Sequence, residues 1–530
     1  MAYLNPRNAD TVGPNRSSSP RQQVLGVILA VLAVAYGGYA LVRWHNAKDE
    51  KQTSGDYAAF VAAVAKADAI ADPLQRCLSY PDLPHSHWNE ETTRAYCEFR
   101  NHKTISLSDI ETLLKQGKVG EVDSVFQGYL DTQRHDPKQL GLLDMAFMNA
   151  GFENADDRTR RIIDMWKQRA PNSAFAFAAS GVQYVDAAEE ARGGGWSQDL
   201  NDQQVDGMHQ QLALAFKDLD RAVALDPRIT AVYPSMIHAG GMDGDDAYMY
   251  QAAKFALQAD PSDFGIRAQI MNHAQPKWGS SFGGVDAQSE EVLSLVAKNP
   301  LLRMVAQDPA VYRATCDCDN SQAQINRLVV QAADKNISLG NMVDLAGEVY
   351  DADRRLAAEL YSETLRFDPS DVDALRWRSQ EMIALGDKPG AIAAFTAVSR
   401  RFPDNVAMTT QLGNIYAQAG DAKLAETTLL AVLQRDPDNY DAMGTLGDLY
   451  NHAGHQPQKA EVLADAMINK YPDKPNGYIV RACNQMDHNL PGVYDTIHYF
   501  IDHFGDDPQW KTQTAEMRAY LVKHPENIGA

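Results

Sequence analysis

The densest run of potential metal ligands is His85-Ser-His87-Trp88, followed by Cys97 and His102. Structural zinc sites need ligand pairs at short, fixed spacing, and no second pair follows. A polar, proline-rich loop is therefore expected there, and neither a metal nor another cofactor is assigned. Cys316-Asp-Cys318 could close a strained disulfide or hold a soft metal ion; two plain thiols are the expectation. The chain has five cysteines, an odd number that leaves at least one unpaired, and Cys77 and Cys97 could join in an oxidising compartment. Asp243, Asp245 and Asp246 cluster in one turn but lack the distal glutamate of an EF-hand loop. G-x-S-x-G, H-E-x-x-H and P-loop spacings are missing, and the glycines 193–195 open no strand–helix unit. No catalytic residue is assigned, and the chain reads as a non-enzyme.

What remains is binding chemistry. Arg192 and Trp196 share one glycine-rich turn, and Lys277 and Trp278 share another. A cation beside an indole is a strong anchor when a partner buries it. The alternative is that both rings plug gaps between neighbouring helices, with the glycines supplying the turns.

The elements that position these residues follow from a period. Pro369, Pro403 and Pro437 are 34 residues apart, Pro472 follows 35 later, and Gly386, Gly420 and Gly454 keep the same step. A 34-residue period predicts stacked helical hairpins, since one helix pair cannot bury its apolar face alone. Within 406–439, Leu412, Gly413, Tyr416, Gly420, Ala425, Leu429, Val432 and Pro437 occupy positions 7, 8, 11, 15, 20, 24, 27 and 32. The unit from Tyr440 repeats the first part through Leu446, Gly447, Tyr450 and Gly454. Units 372–405 and 338–371 match less fully. Small residues allow close helix approach, and each proline stops a second helix.

These residues resemble the tetratricopeptide repeat. The resemblance implies a concave groove lined by Asp373, Arg376, Gln380, Thr410, Asn414, Asp441, Asp448 and Asn451. Members that clamp a partner's C-terminal carboxylate need basic residues where this chain has Ala407, Gln411, Asp441 and Thr445. A neutral or basic segment, extended or helical, is therefore the expected occupant. Solvated polar faces are the alternative reading of the same positions.

The N-terminal half carries the pattern in disguise. Pro137 and Pro171 are 34 apart, as are Pro227 and Pro261, and Ser108 with Glu111 reads as a capping box. One interval carries 22 extra residues, including Ala191-Arg-Gly-Gly-Gly-Trp196. That insertion, the Gly240–Asp246 turn and the Gln275–Gly279 turn are expected along one edge, because insertions in repeats map to one face. A composite site is expected there: Arg192, Trp196, Lys277 and Trp278 with Asp243, Asp245 and Asp246. Residues 105–285 also resemble a bacterial domain family of unknown function through Ala191–Trp196 and Asn272–Phe282, which implies no activity.

Before this array, Val24–Val42 is a charge-free apolar run. Its 19 residues reach roughly 28 Å as a helix, enough to cross a hydrocarbon core. A cleaved signal peptide is the competing reading; the polar stretch before the run and the run's length favour an anchor. Gly26 with Ala30 and Ala33 with Gly37 have helix-pairing spacing, a hint of a homo-oligomer. The expected localisation is a bacterial inner membrane, single-pass, with the large domain periplasmic; the cytoplasmic side is the alternative. The net charge of −21 makes nucleic acid a poor partner.

The expected fold is all-α: one transmembrane helix, then an α-solenoid. Its segments are a tail (1–22), the membrane helix (23–43), a juxtamembrane linker and helix (44–104) and a helical domain with inserted loops (105–300). Connecting helices (301–337), the repeat array (338–474) and capping helices (475–530) follow. The expected function is a membrane-anchored scaffold binding proteins or peptides at the cell envelope. The rival is an envelope enzyme or small-ligand sensor with its pocket at the Arg192–Trp196 and Lys277–Trp278 loops.

Overall fold

The computed structural model describes residues 55–526 apart from Trp196, Asp317 and 453–455. The chain divides into two compact units, Met1–Ala62 and Ala63–Ala530. Residues 55–62 of the first are helical. The second is all-α, and no strand occurs among the described residues.

Its C-terminal half is a series of helical hairpins. Leu339–Val349 pairs with Arg354–Phe367, Val372–Ala384 with Lys388–Ser399, Val406–Ala419 with Ala422–Arg435 and Tyr440–His452 with Pro457–Lys470. Asn476–His488 with Val493–Phe504 continues the series, and Lys511–Lys523 closes it. The repeat is written in the caps as well as the core. Asp371, Asn405 and Asn439, each 34 apart, accept from the backbone N–H groups of Ala374, Met408 and Ala442 at 2.8–3.0 Å. Asp353, Asp387 and Asp421, on the same step, cap the second helices through Leu356, Gly390 and Leu424 at 3.0–3.2 Å. Each such cap contributes about 1 kcal/mol by satisfying an orphan donor at a helix start.

Ala357, Ala391, Ala425 and Ala460 are fully buried where the two helices of a hairpin cross. At Gly413 a Cβ would stand 2.5 Å from Leu429 Cδ2, so the helices approach through the missing side chain. Gly420 ends its helix at φ 90°, a conformation costly to other residues.

The N-terminal half is built the same way around a richer aromatic core. Phe126, Phe152 and Trp166 are fully buried, with ring centroids 5.4–6.1 Å apart. The Trp166 indole donates to Asp123 at 2.9 Å, which satisfies its one polar atom. The capping box expected at Ser108 and Glu111 lies two residues earlier: Ser106 caps the helix Leu107–Lys115 with Asp109 as its reciprocal partner. Ser108 is already inside that helix, where its carbonyl accepts from the Thr112 hydroxyl.

Residues 73–100 form a brace on the middle of the array. The helices Pro73–Ser79 and Glu90–Arg100 pack on Arg354–Phe367, burying that helix almost all round. Tyr96 lies 4.6 Å from the Phe367 ring, and a Cys77–Cys97 disulfide ties the two brace helices. At the centre is Asp68, 2% exposed, contacted by Arg76 at 2.9 Å, Arg378 at 3.2 Å and the Tyr80 hydroxyl. Burial raises the Asp68 carboxyl, but Arg378 and Arg76 outweigh it and hold it below its ordinary value. Arg76 also donates to the Leu365 carbonyl at 2.8 Å, meeting an orphan acceptor near the end of the covered helix.

The expected membrane helix, 23–43, and the small-residue pairs within it lie outside the described residues. Among the described residues no helix is long and apolar enough to cross a membrane. The longest, Asp202–Leu225, carries Asp206, Lys217, Asp218, Asp220 and Arg221. On that finding the inner-membrane localisation, with a periplasmic or cytoplasmic large domain, does not stand.

Candidate functional site

The first helices of four successive hairpins line a trough of about 650 Å³. Val372–Ala384 contributes Arg376 and Gln380, Val406–Ala419 contributes Gln411, Asn414 and Gln418, and Tyr440–His452 contributes Asp441, Asp448 and His452. Asn476 lines the next stretch, and Trp510 and Gln513 from the closing segment complete it. Helical geometry explains the selection, since residues three and four apart share a face.

Carboxamides dominate this surface, and several are cross-linked. The Thr445 hydroxyl donates to Asn414 Oδ1 at 2.8 Å, while Asn414 Nδ2 donates to Gln411 Oε1 at 3.2 Å. Such groups offer donors and acceptors side by side, which suits a peptide backbone. Arg376 is held by Asp373 at 2.9 Å and lies 4.2 Å over the Trp377 ring. Burial raises the Asp448 carboxyl, with His452 opposing it.

Arg376, Gln380, Asn414 and Asp448 are thus brought together. Thr410 and Asn451, expected beside them, are each 2% exposed and do not line the trough. Thr410 donates to its own helix at Val406 O, and Asn451 donates to Val480 O at 3.0 Å. Thr410 is thus tied to its own helix and Asn451 to the next first helix, and neither offers its side chain to the trough.

At the edge, Trp196 lies outside the described residues. Arg192 ends the helix Ala174–Arg192 and donates to Gly193 O at 3.0 Å. Lys277 and Trp278 occupy the turn Pro276–Trp278. Trp278 is 36% exposed and stacks on His273 at 4.4 Å. His273 Nε2 lies 3.4 Å from His238 Nδ1, and His238 Nε2 lies 2.6 Å from Glu189. Burial first, then His238 and Lys277, lower the His273 imidazole to about 4, so it is neutral at physiological pH. This chain of rings joins the Trp278 turn to the helix that carries Arg192. Glu189, His238 and His273 were not singled out by sequence; the 35-residue step between the two histidines, close to one repeat, is the signal that could have found them. Of the acidic turn, Asp245 caps a helix through Tyr248 N–H and Asp243 faces His209 at 3.7 Å.

The remaining chemical motifs resolve as structure. His87 pairs with Asp334 at 2.5 Å, Trp88 donates to Ala333 O and His102 contacts Leu140 O at 3.1 Å. Among the described residues no group of three or more His, Cys, Asp or Glu side chains is placed to hold a metal ion. Cys316 and Cys318, expected as thiols, are bonded to each other, and Cys483 is free. The two-residue spacing brings their Cα atoms to 5.2 Å, within bonding reach.

A family model for the tetratricopeptide repeat matches residues 380–440 and 410–472. No curated protein matches. Among solved structures, yeast Tom70 aligns over 79% of this chain and 96% of its own at 10% identity, with a TM-score of 0.34. The Naa15/Naa10 complex bound to HypK-THB aligns over 82% and 91% at 10% identity, TM-score 0.28. The P58(IPK) TPR domain aligns over 60% and 96% at 14% identity, TM-score 0.19. These scores are too low to add to the fold, which rests on the hairpins and the repeat match. The resemblance of residues 105–285 to a family of unknown function gains no support from any of these. Within the C-terminal half, residues 380–472, which carry the central part of the trough, match the tetratricopeptide repeat.

Proposed function

We propose that the protein is a non-enzymatic scaffold whose trough holds a neutral or basic segment of a partner protein. The observation that carries this is the trough itself, four first helices lining one open channel, three of them presenting carboxamides and the other Asp441, Thr445 and Asp448. Two carboxylates, Asp441 and Asp448, face the single guanidinium of Arg376, which Asp373 already engages. An acidic segment would meet uncompensated like charge there. Thr445, the hydroxyl of the lining, is engaged with Asn414 rather than with a base, which fits binding better than nucleophilic chemistry.

The test is a peptide array probed with the full chain, followed by Asp441→Lys with Asp448→Lys. Basic and neutral peptides are expected to bind, and the double variant to weaken basic ones by roughly tenfold or more, about 1.4 kcal/mol. Preference for acidic peptides, or indifference to the double variant, would overturn the reading. A small-ligand role is favoured by one separate observation: Lys277 lines a second, polar cavity.

A further inference from the structure

The second cavity, of about 600 Å³, lies among the turn Pro276–Trp278 and the helices Asp308–Thr315 and Leu339–Val349. It shares no lining residue with the trough. Its volume falls in the range of small-molecule sites. Acceptors converge on it. Asp344 and Glu348 stand one turn apart on the same helix, and Asp308 faces them across the cavity, engaged by Asn341 at 2.7 Å. Gln275 Oε1 is sealed from solvent and accepts no hydrogen bond. A buried acceptor left unmet costs about 1–3 kcal/mol, so a donor arriving there is strongly favoured.

The cavity's cation, Lys277, offsets part of the charge of Asp344 at a distance and is not a cause of shift at Asp308 or Glu348. Burial raises Asp344, Glu348 and Asp308, the last to about 7; Lys277 opposes the rise at Asp344 alone. The room is real: Gly347 lines the cavity in the last turn of its helix, and a Cβ built on it meets nothing within 4 Å.

We propose that this cavity binds a small organic cation, an ammonium or guanidinium, between Asp308, Asp344 and Glu348 with Gln275 as a neutral acceptor. The charge-assisted hydrogen bonds to the carboxylates carry affinity, and the amide fixes orientation. Lys277 lines the same cavity and leaves Asp308 and Glu348 as the carboxyls without a cation among the described residues acting on them.

Titration calorimetry on the full chain with agmatine tests this, with glutarate as the charge-reversed probe. Saturable agmatine binding is expected, with none for glutarate. Asp344→Asn with Glu348→Gln is expected to weaken it by roughly tenfold to a hundredfold, about 1.4–2.8 kcal/mol. Gly347→Trp, whose Cβ enters open space and whose ring would occupy the cavity, is expected to abolish binding, with the unfolding midpoint measured alongside. Displacement of agmatine by an end-capped Gly-Arg-Gly peptide would show that the cation arrives as a partner's side chain; no displacement would show a free small molecule. Absent saturation by agmatine, or agmatine affinity equal in wild type and Gly347→Trp, overturns the proposal and leaves the peptide reading of the trough untouched.

Discussion

Asp68→Ala removes the one carboxylate shared by two buried guanidiniums. Arg76 keeps the Tyr80 hydroxyl and the carbonyls of Leu365 and Arg366 at 2.8–3.3 Å. Arg378 is worse placed. It is 2% exposed, its Nε and Nη1 already lack partners, and Asp68 is its sole ion-pair partner among the described residues. Stranding one buried charge costs about 3–5 kcal/mol, and the Tyr80 hydroxyl, which still accepts from Arg76 but loses the acceptor of its own proton, adds about 1 kcal/mol. A loss of about 4–6 kcal/mol is therefore expected. The assay is urea unfolding by circular dichroism, with limited proteolysis of the 63–105 segment under native conditions. Arg378→Met in the Asp68→Ala background removes the stranded charge and is expected to restore a large part of the loss. Because the folded Asp68 carboxyl sits below its unfolded value, the stabilisation is complete above that value and disappears as pH falls through the folded one. A loss below about 1 kcal/mol, or a double variant no better than the single, would refute the claim that the brace is held by charge.

Three further outcomes are expected. Cys77→Ser with Cys97→Ser, made alongside Cys316→Ser and Cys318→Ser, should lower stability by about 3 kcal/mol through the lost 20-residue loop constraint, and reductant should then have no further effect. Gly413→Leu drives a side chain into Leu429 and should cost about 2–3 kcal/mol, read as a lower thermal midpoint, whereas Gly340→Ala, with open space around it, should not. Glu363 is fully buried and its carboxyl is raised by burial to about 7 despite Arg366. Its penalty grows as pH rises from the unfolded value to about 7, so Glu363→Gln should gain up to about 3 kcal/mol at pH 8 and almost nothing at pH 4, measured by urea midpoints.

The prolines and glycines at the repeat step made the hairpins legible, because stop signals and left-handed turns are local chemistry. The capping acids Asp353, Asp387 and Asp421 keep the same step and strengthen that reading, since a helix start is also decided by a few neighbouring residues. Of the eight positions that numbering within a repeat assigned to the groove, five line the trough, whereas Asp373, Thr410 and Asn451 do not. A modest rotation of a helix about its axis decides whether such a side chain meets solvent or the next helix. The brace was not readable at all. Arg76 meets Leu365 across 289 residues, and nothing local to either announces the other. The same holds for the second cavity, whose walls come from three stretches between Asn272 and Glu348.

That brace also sets an order of assembly. Arg401 donates to the main-chain oxygens of Asp68 and Ile70, so the first turn of the large unit waits for a residue made 333 positions later. At roughly 5–20 residues per second, synthesis leaves Asp68 and Arg76 without Arg401 for roughly 20–70 s. A string of repeats could otherwise harden pair by pair as it leaves the ribosome. Here residues 68–100 remain unpartnered until the middle pairs emerge to receive them, and newborn copies are most exposed to aggregation and proteolysis during that interval.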